Sequence, residues 1–101
     1  MSEPERVVLE MIGLNIIAVK RAMHAIGMDD KKPYRRHGKL YYKPYRNYYC
    51  TDVNNFIWKS LEYAGYAWRE DVDANGITNY HLTHDGIDWL GDAIGVTIYY
   101  S

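Results

Sequence analysis

Seven of the twelve Lys and Arg residues fall between positions 31 and 46, with no Asp or Glu among them. They are Lys31, Lys32, Arg35, Arg36, Lys39, Lys43 and Arg46, and Tyr34, Tyr41, Tyr42 and Tyr45 are threaded between them. Guanidinium and ammonium groups hold phosphate or carboxylate, and tyrosine rings stack or fill apolar pockets. The chemistry open to this segment is the binding of an anionic partner, either double-stranded DNA or an acidic protein surface. Arg35, Arg36, Lys39, Lys43 and Arg46 would meet the anionic groups, with Tyr41 and Tyr45 stacking beside them. The same composition also suits a solvated loop whose tyrosines pack on neighbouring helices.

The charge is local. Residues 1–30, 31–46 and 47–101 carry net charges of −2, +7 and −6, within a chain whose total is −1. Such a chain is an electrical dipole, unlike a uniformly basic protein that coats DNA. At 101 residues and 48% hydrophobic it builds one domain with a modest core. Eleven tyrosines against one Phe imply many half-buried positions, where the ring packs and the hydroxyl stays wet.

Other candidate chemistry is sparse. His81 and His84 form a His-x-x-His spacing beside Asp85, but a strand residue and a first-turn helix residue need not converge on a metal. Cys50 is the only cysteine, so no intramolecular disulfide or cysteine-based zinc site is expected. Ahead of a helix its thiol could be activated, yet without a partner His or Asn it reads as a small buried residue. No phosphate-cradling glycine loop, Gly-x-Ser-x-Gly or telling carboxylate pair is present. The expectation is a non-catalytic protein with no cofactor and no metal. The first residues lack a basic stretch leading into an apolar run, and no stretch is long enough to span a bilayer. A cytoplasmic protein is expected.

These residues must be positioned by a small set of elements. Ser2 and Glu5 fit a capping box with Pro4 in the first turn. Val7, Val8, Met11, Ile12, Ile16, Val19, Met23 and Ile26 then recur at helical spacing up to Gly27, with Gly13 a point of bending or division. Pro33, Gly38 and Pro44 interrupt the next twenty residues. There Arg36-His37-Gly38-Lys39 suits a hairpin tip, with a long loop as the alternative. In a hairpin, Lys39, Tyr41 and Lys43 share one face, and Leu40 and Tyr42 share the face toward the core.

Tyr48-Tyr49-Cys50 reads as a short extended piece. Thr51 or Asp52 is expected to cap a second helix, whose inner positions would be Phe56, Ile57, Ser60, Leu61 and Ala64, with Trp58 and Tyr63 to the sides. A strand over residues 66–70, a turn at Asp73-Ala74-Asn75-Gly76 and a return strand over 77–82 follow. Thr83 caps a last helix with Ile87, Leu90 and Ile94 inside, and Gly95 ends it. Residues 96–100 suggest a terminal strand, extending the preceding hairpin or pairing with a second copy in a homodimer.

Residues 61–90 sharpen the fold. A helix ending Leu61-Glu62-Tyr63-Ala64-Gly65 and then a hairpin lead to Tyr80-His81-Leu82-Thr83-His84-Asp85-Gly86, which opens the last helix. This resembles the back half of a winged-helix domain. Gly65 would permit the helix-to-strand turn, Tyr80 and Leu82 would reach the core, and Gly86 would allow close packing. The fold class expected is α+β and winged-helix-like: three main helices, a two-stranded wing hairpin and a short extra β element. Tyr45-Arg46-Asn47-Tyr48-Tyr49 with the elements after it is also similar to small phage and prophage proteins of unassigned function.

The resemblance implies a DNA-binding or transcription-regulatory protein, with a recognition helix from about Asp52 offering Asn54, Asn55 and Lys59 to the groove. That helix holds a single basic residue, and a Pro- and Tyr-rich segment stands where a helix-turn-helix has its middle helix. The wing is acidic too, with Arg69 followed by Glu70, Asp71 and Asp73. It is an exposed turn kept soluble by charge, or a contact for a basic partner. The alternative function is a protein-interaction module that inhibits or modulates a host or defence protein.

Overall fold

The computed structural model describes the backbone of residues 3–100 and the side chains of residues 14–100. The first helix, α1 (Glu3–Ala25), runs through Gly13 without a break. The Ser2 cap and the side chains of Val7, Val8, Met11 and Ile12 lie outside the described residues. Two strands follow, β1 (Tyr34–Arg36) and β2 (Lys39–Tyr42), then β3 (Tyr49–Asp52) and a second helix, α2 (Phe56–Tyr63). Next come β4 (Ala67–Arg69), β5 (Ile77–Leu82), α3 (His84–Ile94) and β6 (Thr97–Ile98). The described residues therefore form a small α+β unit of three helices and six strands, in two three-stranded sheets ordered β1-β2-β6 and β3-β5-β4.

All three helices stop in the same way. Gly27, Gly65 and Gly95 adopt φ of +86°, +84° and +70°. The next residue reaches back five positions: Met28 N–H to Met23, Tyr66 N–H to Leu61, and Val96 N–H to Gly91, at 2.9–3.0 Å. This ties off carbonyls that a helix end otherwise leaves without partners. Met28 and Val96 are buried, so each stop also turns an apolar side chain inward.

The helix starts are less uniform. Thr83 caps α3 as expected, its hydroxyl accepting from the Gly86 N–H at 3.0 Å. The α2 cap is a correction. Asn55 accepts from the Ile57 and Trp58 N–H groups at 3.1 and 3.2 Å. Thr51 and Asp52, expected to cap it, are strand residues facing Thr78 and Ile77. The Asp52 carboxylate instead accepts from the Asn54 N–H at 2.7 Å and shapes the turn ahead of the helix.

Moving the start also re-phases α2. Trp58, expected at the side, is fully buried, whereas Phe56 is 65% exposed. An eight-residue helix has room for barely two inward positions, and here they are Trp58 and Leu61. Tyr49 and Tyr80 flank the Trp58 ring at 5.1 and 5.6 Å and draw it into the centre. The indole Nε1 is buried without a hydrogen-bond partner, a cost carried by aromatic packing. Ile26, Leu90 and Tyr80 complete the buried centre. Full burial of Leu90 alone contributes about 1.5–3 kcal/mol.

The β4–β5 hairpin forms with the expected turn at residues 73–76. Gly76 takes φ +79°, and Asp73 accepts from the Asn75 and Ile77 N–H groups at 2.8 and 2.9 Å. Tyr80 and Leu82 reach the core as expected. A Cβ on Gly86 would stand 2.0 Å from the Tyr66 carbonyl oxygen, so α3 meets the chain there at glycine distance.

Two expectations about strands are overturned. The sheet expected as two-stranded has three, because β3 pairs with β5 from Tyr49↔Tyr80 to Asp52↔Ile77. The terminal strand does not extend that sheet. It runs parallel to β2, with Tyr41↔Thr97 and Tyr42↔Ile98, since Gly95 turns the chain toward the first hairpin. Cys50 also departs from expectation. Side chains alternate along β3, and Cys50 falls on its exposed face.

Candidate functional site

The cationic segment divides into two parts. The first is a hairpin in which Tyr34, Arg35 and Arg36 pair with Tyr41, Leu40 and Lys39. His37 and Gly38 form its tip at φ +51° and +77°, the paired left-handed geometry of a tight two-residue turn. Tyr42 is buried, Leu40 and Tyr41 are half-buried, and Lys39 and Lys43 are exposed; Leu40 and Tyr42 pack on the core as expected, while Tyr41 is covered in part by its neighbouring rings. The hairpin docks by one edge: Tyr42 donates from its hydroxyl to the Ile26 carbonyl at 2.9 Å.

Lys31, Lys32, Arg35, Arg36, Lys39 and Lys43 are all exposed. Among the described residues none of the six makes an ion pair. Arg35 bends back to the Gly38 carbonyl at 3.3 Å, a local bond at the hairpin tip.

One face of the hairpin carries a ladder of near-parallel phenol rings. Tyr34 lies 5.9 Å from Tyr41, and Tyr41 lies 6.1 Å from Tyr99, with interplanar angles of 25° and 17°. The register puts Arg36 and Lys39 on the same face, opposite each other and two residues from Tyr34 and Tyr41. Lys43 follows Tyr41 on that face. The Tyr99 N–H donates to the Tyr42 carbonyl at 3.0 Å, so the parallel pairing continues past β6 and holds Tyr99 in place. Interaction with the Tyr34 hydroxyl, followed by burial, raises the Tyr99 pKa above the ordinary phenol value.

The second part, residues 43–49, is a strap over the end of α1. Arg46 Nη2 donates to the His24 carbonyl at 2.8 Å and to Asp29 Oδ1 at 3.0 Å. The Tyr48 N–H donates to the Ala25 carbonyl at 3.1 Å. A guanidinium at a helix C-terminus also complements the negative end of the helix dipole. Tyr45 donates from its hydroxyl to Asp30 at 2.8 Å, and its ring fills the space that a Gly27 side chain would need. The hydrogen bond to Asp30 is the main reason its phenol pKa is raised. Lys31 sits 4.8 Å above the same ring. Burial would raise Asp29, but its own backbone N–H, His24 and Arg46 outweigh that and hold the carboxyl below its usual value.

The strap also fixes the second sheet. The Asn47 side chain donates to the Leu82 carbonyl at 3.0 Å and accepts from the Leu82 N–H at 2.9 Å. One amide thereby lengthens the ladder on β5 by a residue.

No protein-family model matches this chain, and no curated protein or solved structure matches it either. The site residues therefore stand on geometry alone.

Twelve side chains are singled out by sequence, and the fold brings only some together. Arg35, Arg36, Lys39 and Tyr41 share the hairpin, and Lys43 is exposed directly after it. Tyr45 and Arg46 belong to the strap and are engaged with α1 and the turn after it. Lys31 lies over the strap, and Lys32 is exposed beside it. Asn54, Asn55 and Lys59 sit apart at the start of α2. Asn55 is spent on the helix cap, and Lys59 Nζ donates to Asn54 Oδ1 at 3.3 Å.

Two ladder residues, Tyr34 and Tyr99, gain a place in the site from the fold. Tyr34 is visible in the basic run. Tyr99 has no sequence signal tying it to that run, because only the parallel β2–β6 pairing brings it there.

The two histidines diverge. His81 stacks on Trp68 at 4.3 Å, with Nδ1 facing the Asn47 carbonyl and Nε2 facing Glu70 at 2.6 Å. His84 stacks on Tyr100 at 4.0 Å. Among the described residues no three His, Cys, Asp or Glu side chains are placed to share a metal ion, and no helix is long and apolar enough to cross a membrane.

Proposed function

We propose that this protein is a non-catalytic binding domain that engages nucleic acid through the β1–β2 hairpin. The observation that carries this reading is the set of exposed cations at Arg35, Arg36, Lys39 and Lys43, which have no internal carboxylate partners among the described residues. Counterion release by phosphate contacts supplies most of the affinity for such a surface. A DNA-binding or transcription-regulatory role of winged-helix type, in a protein of phage or prophage origin, is the form this takes. Support comes from the sheet order β3-β5-β4, with a helix before β4 and another after β5. The α2 helix adds little to that role, since its one cation, Lys59, is tied to Asn54. The contact therefore falls to the hairpin.

The test is fluorescence anisotropy on mixed-sequence nucleic acid at low and near-physiological salt. The wild type should bind with a steep salt dependence. Arg35→Ala/Arg36→Ala should weaken binding and flatten the slope of log K against log salt by about 1–2. Absence of binding even at low salt overturns the proposal.

A second reading, a protein-interaction module acting on a host or defence protein, is favoured by one feature of α2. Phe56 and Tyr63 are 65% and 95% exposed, an apolar display seven residues apart on one helix. Under that reading affinity capture recovers a protein that Tyr63→Ala releases, and nucleic acid is not bound.

A further inference from the structure

Sheet β1-β2-β6 presents three stacked tyrosines on the face that also carries Arg36, Lys39 and Lys43. Internal packing does not use this face up. Tyr34 and Tyr99, at the two ends of the ladder, are 48% and 45% exposed. The core is served by the opposite face, through Tyr42 and Ile98.

Duplex DNA is a poor match for such a surface. Its bases are stacked on one another and offer only their edges, so phenol ring faces have nothing to stack on. A major groove about 12 Å wide admits a two-stranded ribbon. Here the tyrosines lie across three strands, about 10 Å from first to last backbone before any side chain is counted. A single strand has neither obstacle. Its bases are free to splay onto aromatic rings while the backbone runs past flanking cations.

We propose that the Tyr34–Tyr41–Tyr99 ladder is a stacking platform for single-stranded nucleic acid, with Arg36, Lys39 and Lys43 on the phosphates. This rests on the nucleic-acid reading of the hairpin and replaces its duplex form with a single-stranded one. Tyr41 has a ring on either side, so bases would stack on the exposed end rings, Tyr34 and Tyr99.

The test uses the full chain and fluorescein-labelled, mixed-sequence oligonucleotides of about 12 nucleotides. Single-stranded DNA, single-stranded RNA and duplex DNA are compared by anisotropy at low salt. The variants are Tyr34→Leu and Tyr34→Phe, with Tyr99→Leu and Tyr99→Phe as a second pair and a thermal melt for each. The expected result is single-strand binding at least about 10-fold tighter than duplex binding. Either Leu variant should weaken single-strand binding by about 5- to 100-fold, and either Phe variant should leave it within about 2-fold. A preference between the DNA and RNA strands identifies the source of the ligand and supports the platform.

Duplex binding as tight as single-strand binding, or Leu and Phe variants that behave alike, overturns the platform. If Arg35→Ala/Arg36→Ala still weakens binding in that case, the nucleic-acid reading survives it. Absence of binding to all three probes overturns both.

Discussion

The hairpin of residues 34–42 and the strap of residues 43–49 are built from the same residue types, yet the fold uses them in opposite ways. In the strap, Arg46 and Tyr45 are committed to the end of α1 and the two carboxylates after it. In the hairpin, Arg35, Arg36 and Lys39 point to solvent without carboxylate partners among the described residues. The difference lies in what each backbone runs past. The strap crosses a helix C-terminus, where carbonyls with acceptor capacity left over and a dipole's negative end consume a cation. The hairpin crosses nothing and meets the body through Tyr42 and β6. A run of basic residues in a sequence is thus not a functional unit until the backbone has decided which charges are already spent.

Two glycines with the same backbone conformation give the largest contrast. Gly27 has φ +86° and three Tyr45 ring atoms 2.2–3.0 Å from where its Cβ would be. Gly38 has φ +77° and nothing within 4 Å. Gly27→Ala should cost about 2–4 kcal/mol in chemical denaturation, the sum of left-handed strain and displacement of the Tyr45 ring. Gly38→Ala should cost about 1–2 kcal/mol from strain alone. Equal losses at the two sites would show that the strap does not press on α1.

Arg46→Met comes next. It keeps an aliphatic stem but removes the donor to the His24 carbonyl and to Asp29, both beside a side chain only 21% exposed. Loss of the bond to the His24 carbonyl should cost about 1 kcal/mol, and the solvent-exposed pair with Asp29 adds to the loss in direction only. Its pH dependence identifies the pair. The folded Asp29 carboxyl is held below the ordinary aspartate pKa. The stabilisation is therefore present above about pH 4 and is lost as the pH falls through the lower folded value. The gap between wild type and Arg46→Met, measured by urea denaturation, should narrow below pH 4. A gap constant from pH 7 to pH 3 would remove Asp29 from the account.

The same contrast marks what could be read from the chain. Local signals carried far: Thr83 before α3, Gly95 after it, and the turn at residues 73–76 are all set by neighbours within a few positions. The hairpin tip at His37-Gly38 and the alternation of Lys39, Leu40, Tyr41 and Tyr42 are also local. Signals that depend on distant partners failed. The phase of α2 is not legible locally because Trp58 is drawn inward by Tyr49 and Tyr80, nine and twenty-two residues away. The partner of the terminal strand is not legible either, because a parallel pairing across more than fifty residues leaves no periodicity to detect. Arg46 reads as an open cation in the sequence because one partner is a backbone carbonyl, which has no letter, and the other, Asp29, is seventeen residues away.

The smallest stability effect belongs to Arg35→Ala/Arg36→Ala, and its smallness is the point. Both side chains are exposed, and the one bond they make besides the ladder is Arg35 to the Gly38 carbonyl at 3.3 Å. Surface substitutions of this kind stay within about 0.5 kcal/mol per site. The strap variants should thus change stability strongly, while the hairpin variant changes it little and instead weakens ligand binding. If Arg46→Met also cuts nucleic-acid affinity in proportion to its lost phosphate-dependent salt slope, its guanidinium is shared between α1 and the ligand. If affinity falls only as far as unfolding accounts for, the strap is purely structural. The two outcomes separate because a phosphate contact removes about 0.9 from the salt slope and a folding defect removes none.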